Sequence, residues 1–139
     1  MRALRARLAA HGVTFGHWTF LRILWERDGL TQRELSAEAG VSEPTTVAAL
    51  RAMEKARYVT RSQSERNRKN VYVHITIKGR ALKAKLVPLA LEVNEIGLAG
   101  VSAADRAATQ RTLLAIIDNL REETSEPSSP RRRGPRSGS

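Results

Sequence analysis

Gly29-Leu30-Thr31-Gln32-Arg33-Glu34-Leu35-Ser36-Ala37-Glu38-Ala39-Gly40-Val41-Ser42-Glu43-Pro44-Thr45-Thr46 opens a segment, ending at Gly79, around which the chain is organised. Thr31 followed by Glu34 has the spacing of a capping box, in which each side chain satisfies a free backbone N–H of the other residue at a helix start. A short helix is therefore predicted from about Gln32. Leu35 and Ala39 give it an apolar stripe, and Gly40 stands where a left-handed residue would end it. Ser42 is a good N-cap for a second helix, and Pro44 in its first turn loses only an N–H that would lack a partner anyway.

In the second helix Thr46, Ala49, Leu50 and Met53 recur at i, i+3, i+4 and i+7, the spacing of one packed face. Pro44, Thr45, Val47, Ala48, Arg51 and Lys55 are left on the other. Two helices joined by a short turn containing Gly form a helix-turn-helix, whose second helix either enters a major groove or serves as a plain packing element.

The next stretch separates those alternatives. Tyr58 to Ser62 and Val71 to Thr76 read as strands, the second alternating Val71, Val73, Ile75 with Tyr72 and His74. Between them Gln63-Ser64-Glu65-Arg66-Asn67-Arg68-Lys69-Asn70 has no apolar anchor and is expected as an exposed loop. A helix-turn-helix followed by a hairpin with a basic tip is a winged helix, and such a tip reaches phosphates or a minor groove.

Gly29-Leu30-Thr31-Gln32-Arg33-Glu34-Leu35, Val41-Ser42-Glu43-Pro44-Thr45, Met53-Glu54-Lys55 and Ile75-Thr76-Ile77-Lys78-Gly79 together resemble the MarR family of bacterial transcriptional regulators, over about residues 12 to 120. The resemblance implies a mainly α fold: a winged helix-turn-helix with a small β-hairpin wing and dimerisation helices from both ends of the chain. Where that family carries Asp-Arg-Arg in the wing, this chain has Asn67, Arg68 and Lys69. The acid is absent unless Glu65 replaces it, and Ala48 stands where the family often has Arg.

Charge is unevenly distributed. Of the net +10, residues 51–80 carry +7, with nine basic and two acidic side chains, whereas residues 1–50 carry +1 and residues 81–126 carry −2. Cations that merely solvate a surface are normally interspersed with acids; this concentration is the footprint of a nucleic-acid binder. With 139 residues, 41% of them apolar, the chain has the length and composition of one globular domain. No apolar run approaches the roughly 18 residues that cross a bilayer, and Arg2, Arg5 and Arg7 interrupt any leader-like core, so a cytoplasmic location with no membrane partner is expected. The absence of Cys excludes disulfides, thiolate metal sites and thiol redox switches. His11, His17 and His74 lack the clustering of a metal site, and no cofactor is expected.

Outside the central segment, residues 2–11 are predicted as a short amphipathic helix on Leu4, Leu8 and His11. It is about half the length of the first helix in the resembled family, so either the chain start is trimmed or dimerisation rests on the other end. Thr14 is a plausible cap for a helix to about Arg27, in which Phe15, Trp18, Phe20, Leu21, Ile23, Leu24 and Trp25 are too many for one stripe. A long helix is predicted from Ile77 to about Leu98, kinked by Pro88, and a last one from Ser102 with a stripe of Leu113, Ile116, Ile117 and Leu120. This much apolar surface is expected to close a two-fold homodimer. One domain over residues 1–123 follows, with its DNA-binding part at about 29–79 and dimerisation helices at about 2–11 and 77–122. Residues 124–139, rich in Ser, Pro and Arg, are expected as a disordered basic tail that either attracts DNA or is simply solvated.

The expected DNA surface comprises Gln32, Ser42, Pro44, Thr45, Val47, Ala48, Arg51 and Lys55, with Arg66, Arg68 and Lys69 of the wing. The resemblance implies a dimeric repressor on a roughly palindromic double-stranded operator, released by a phenolic or aromatic acid. His11, His17, Trp18 and Arg22 then offer rings and donors for such a ligand, although a tryptophan beside a histidine also serves plain packing. The alternative is an architectural winged-helix protein with weak sequence preference and no sensing, which Val47 and Ala48 favour because neither makes bidentate base contacts. No catalytic constellation is recognisable, so an enzyme is not expected.

Overall fold

The capping box forms as its spacing requires. In the computed structural model, which describes residues 1–125, the Glu34 N–H donates to Thr31 Oγ1 at 3.1 Å and the Thr31 N–H to Glu34 Oε2 at 3.0 Å. Gly40 then ends the helix in the left-handed region at φ +65°.

The elements run α1 (Arg2–Ala9), α2 (Phe15–Glu26), β1 (Leu30–Thr31), α3 (Gln32–Ala39), α4 (Glu43–Lys55), β2 (Val59–Ser64), β3 (Asn67–Ile75), α5 (Ile77–Gly97) and α6 (Ala103–Ser125). The fold is mainly helical with one antiparallel sheet in the order β1-β3-β2. Two compact units are present, residues 1–97 and the segment from Leu98 onward.

In the first unit α2 supplies the centre of the core. Its Trp18, Phe20, Leu21, Leu24 and Trp25 are all buried, on more than one side of the helix, together with Leu8 of α1, Leu35 of α3, Leu50 and Met53 of α4, Val73 of β3, and Leu82 and Leu86 of α5. Burying one such side chain contributes roughly 1.5–3 kcal/mol. The Trp25 indole N–H also donates to the Gly79 carbonyl at 3.0 Å, tying α2 to the first turn of α5. Thr76 caps α5, its Oγ1 accepting from the Gly79 N–H at 3.0 Å. The helix passes through Pro88 without interruption.

Several boundaries differ from those expected. The wing is strand where a loop was predicted: β2 extends to Ser64 and β3 begins at Asn67, leaving Glu65 and Arg66 in the turn. Ladder hydrogen bonds are made by the backbone, so a strand can continue where no side chain is apolar. The register moves from Gln63 opposite Val71 to Ser64 opposite Asn67, and Arg68, Lys69 and Asn70 occupy the irregularity as a bulge. Side chains serve its freed groups: Gln63 Nε2 donates to the Arg68 carbonyl at 3.0 Å, and the Lys69 N–H to Asn67 Oδ1 at 3.2 Å. The two-residue β1 was not foreseen; Leu30 pairs with Val73 and Thr31 with Tyr72. α1 stops at Ala9 rather than residue 11, because the chain turns through Gly12 at φ +71°.

In the second unit Ser102 Oγ accepts from the Asp105 N–H at 3.1 Å, and Arg106 holds the preceding turn by donating to the Leu98 and Val101 carbonyls. α6 continues to Ser125, past the expected end at residue 122 and through Thr124, where the disordered tail was placed. Residues 126–139, the remainder of that tail, lie outside the described residues.

Candidate nucleic-acid interface

The two helices of the helix-turn-helix meet through both apolar and polar contacts. Thr46, Leu50 and Met53 of α4 are fully buried against α3 and the core, and the Thr46 hydroxyl lies 2.8 Å from that of Ser36. Burial of this face leaves Pro44, Thr45, Ala48, Arg51 and Lys55 exposed on the other, with Val47 partly covered. Ser42 Oγ caps α4, accepting from the Thr45 N–H at 3.3 Å, and also lies 2.8 Å from Thr45 Oγ1. The Thr45 hydroxyl is therefore partly committed to the helix start.

Two groups of basic residues stand between Arg27 and Arg80. Arg27 pairs with Glu38, Arg33 with Glu43, Arg61 with Glu54 and Arg80 with Asp28. Arg51, Lys55, Arg57, Arg66, Arg68 and Lys69 are exposed, and none forms an ion pair with another described residue. Unpaired cations on one helix and one hairpin are what a phosphate backbone neutralises, with release of its counterions.

Two residues of this region were missed in the sequence. Arg57 follows α4 at φ +63°, the one non-glycine residue with positive φ among those described, and its carbonyl accepts from Thr76 Oγ1 at 2.6 Å. Arg61 donates from Nε to Glu54 Oε2 at 2.8 Å and from Nη1 to Gln32 Oε1 at 3.2 Å. Gln32 is thus partly buried and already engaged within the chain. No local pattern announces either arrangement, since the partners of Arg61 lie 7 and 29 residues away.

The four residues considered for a ligand do not come together. Trp18 and Arg22 line a cavity of about 800 Å³ with Ile23, Lys83, Val87 and Leu91, and the Arg22 guanidinium lies 5.8 Å from the Trp18 ring centroid. That stacking leaves a cation at the wall of a partly apolar space. His11 is exposed in the turn after α1, and His17 stands one residue before Trp18 on a different side of α2; neither lines the cavity. His17 Nδ1 is buried without a hydrogen-bond partner among the described residues, and burial lowers its pKa below the usual imidazole value. Among the described residues no three His, Asp or Glu side chains stand together as metal ligands, and no helix is long and apolar enough to cross a membrane.

Comparison with known proteins gives this arrangement its context. The MarR family model matches residues 13–71, which span α2 through the wing. The chain belongs to the MarR family of transcriptional regulators. It is 30% identical to the HTH-type transcriptional regulator TtmR of Methylorubrum extorquens over 119 residues, which is 86% of this chain and 60% of that protein. A MarR transcriptional regulator from Methanosarcina mazei is 25% identical and superposes with a TM-score of 0.80, covering 86% of each chain. The transcriptional repressor CouR, solved bound to a 23-mer DNA duplex, is 26% identical with a TM-score of 0.71 over 84% of this chain and 82% of its own. These relatives are regulators rather than enzymes.

Proposed function

We propose that this MarR-family chain is a homodimeric, sequence-selective DNA-binding repressor that a small aromatic anion releases from its operator. The observation that carries the reading is the split among cations. Arg51 and Lys55 on the outer face of α4 and Arg66, Arg68 and Lys69 on the wing form no ion pair with another described residue, while Arg27, Arg33, Arg61 and Arg80 are paired. α4 then enters a major groove by its Ser42 to Arg51 side and the wing approaches adjacent phosphates or the minor groove. Dimerisation is supported by α6, whose Leu113, Ile116, Ile117 and Leu120 are 43–63% exposed and therefore await a cover that a second copy supplies. A two-fold dimer implies a roughly palindromic site.

Release by a ligand is supported by the cavity beside Trp18 and Arg22, where a ring can stack and a carboxylate can meet a guanidinium. Such a ligand must bind the DNA-incompetent form better, because equal affinity for both forms shifts nothing. A thermal-shift screen of aromatic carboxylates, followed by DNA competition, tests this. Arg22→Ala should leave DNA affinity unchanged and abolish the response to any hit.

A second reading, architectural binding with little sequence choice, is favoured by one observation: Thr45 Oγ1 is held by Ser42 Oγ, and Val47 and Ala48 offer only apolar contact. The ratio of affinities for the DNA flanking its own gene and for random DNA separates the two. Under the repressor reading that ratio is roughly 10³ or more. Thr45→Ala or Arg51→Ala should then cost roughly 1–3 kcal/mol at particular base pairs only. Equal weakening on every sequence favours the architectural reading.

A further inference from the structure

Arg61 lies at the root of the wing, on β2, and reaches both helices of the helix-turn-helix. Its Nε donates to Glu54 Oε2 in the last turn of α4 at 2.8 Å, and its Nη1 donates to Gln32 Oε1 at the start of α3 at 3.2 Å. The guanidinium is planar and rigid, so two acceptors held by one fork are fixed in angle as well as distance. Its side chain is 21% exposed, the least of the four arginines paired within the segment from α2 to α5, so the pair is screened less than its neighbours.

The bond to Gln32 has a further effect. Arginine offers only donors, so the Gln32 amide must turn its oxygen inward and leave its two N–H donors unclaimed by other described residues. We infer that Arg61 is a positioning residue for DNA binding, which sets the wing relative to α4 and orients the Gln32 amide, without itself meeting the DNA. This rests on the DNA-binding reading above. It assigns to Glu54, an acid beside the proposed DNA surface, a supporting part rather than a repulsive one.

Glu54 provides a test in which charge and positioning predict opposite signs. Removing an acid near a polyanion strengthens binding on electrostatic grounds. Removing the acceptor that holds Arg61 releases the wing and weakens it. Glu54 is 43% exposed on a helix, so Glu54→Ala should keep the fold, which melting curves verify. DNA affinity is expected to fall roughly tenfold, with a salt slope shallower by about 0.9 for each phosphate contact the wing loses. Glu54→Gln, which retains an oxygen to accept the Arg61 Nε–H, should bind at least as tightly as the parent.

The double-variant comparison locates the effect. In a chain already carrying Arg66→Ala, Arg68→Ala and Lys69→Ala, Glu54→Ala should change affinity by less than about twofold, because the wing it positions no longer contributes. Affinity that is unchanged or tighter in Glu54→Ala overturns the inference, as does a loss that adds in full to that of the wing variant. Failure of the unsubstituted protein to bind any duplex at low salt would instead remove the DNA-binding reading, and this inference with it.

Discussion

The hydroxyls of Ser36 and Thr46 meet at 2.8 Å where α3 packs on α4, with Thr46 fully buried and Ser36 nearly so. Each also lies near a backbone carbonyl, Ser36 Oγ at 2.9 Å from that of Gln32 and Thr46 Oγ1 at 3.1 Å from that of Ser42, so the two hydroxyl protons serve two of the three contacts at a time. The contact between the two hydroxyls constrains the rotation of α4 about its own axis, which apolar contacts alone leave adjustable. Thr46→Val, which keeps the volume and removes the hydroxyl, should cost about 1 kcal/mol in a urea titration. The pair Ser36→Ala with Thr46→Val should cost less than the sum of the single changes, since neither polar group is then left without its partner.

Gly79 allows α5 to approach the start of the wing. A Cβ there would collide with the Tyr58 carbonyl oxygen and come within 2.9 Å of Ile75 Cγ1. Because the first obstacle is backbone, it cannot turn aside. Gly79→Ala should destabilise the first unit by roughly 3 kcal/mol, read as a lower urea midpoint. It should also disturb the bond from the Trp25 indole to the Gly79 carbonyl, read as a shift in tryptophan emission.

Arg66, Arg68 and Lys69 are exposed, and the bonds that hold their bulge run through backbone atoms and the side chains of Gln63, Ser64 and Asn67. Alanine at all three positions should therefore leave the melting temperature within a degree or two of the parent, the behaviour of ordinary surface changes. Binding to every duplex should weaken, and the salt slope should become shallower by roughly 0.9 per lost phosphate contact. Unchanged affinity at moderate salt would show that the wing does not touch DNA.

Burial holds the pKa of His17 below its usual value. The folded chain therefore resists protonating this ring and the unfolded chain does not. Its stabilising contribution is complete above the unfolded value of about 6.5 and is lost as pH falls from there through the folded value. The melting temperature should drop on acidification from pH 7.5 to 5.5, and His17→Asn should reduce that drop.

Features encoded within a few residues were legible in the sequence. Thr31 with Glu34, Gly40, Ser42 with Pro44, and Ser102 all act at helix ends as the sequence implied, because capping is local chemistry. The inward face of α4 followed from helical periodicity for the same reason. The wing's extra length did not, since Gln63 pairs with Val71 and Ser64 with Asn67 through backbone groups that side-chain patterning does not report. β1 is two residues long and exists only by pairing with Val73 and Tyr72, some forty residues on. The fork at Arg61 depends on three elements meeting. His17 and Trp18 adjoin in sequence, but neighbours on a helix differ by about 100° in direction, and only the tryptophan reaches the cavity.

The order β1-β3-β2 leaves β2 as one border of the sheet, with a row of N–H and C=O groups that no further strand among the described residues takes up. Open borders of this kind recruit strands from other molecules and begin fibrils. Here the border reads Val59-Thr60-Arg61-Ser62-Gln63-Ser64, with a single aliphatic residue, a charge at its centre and a bulge in the strand opposite its tip. Bulges increase local twist, and a twisted polar ribbon is a poor template for a flat intermolecular ladder. A charged, twisted border of this kind disfavours edge-to-edge joining of copies in concentrated solution.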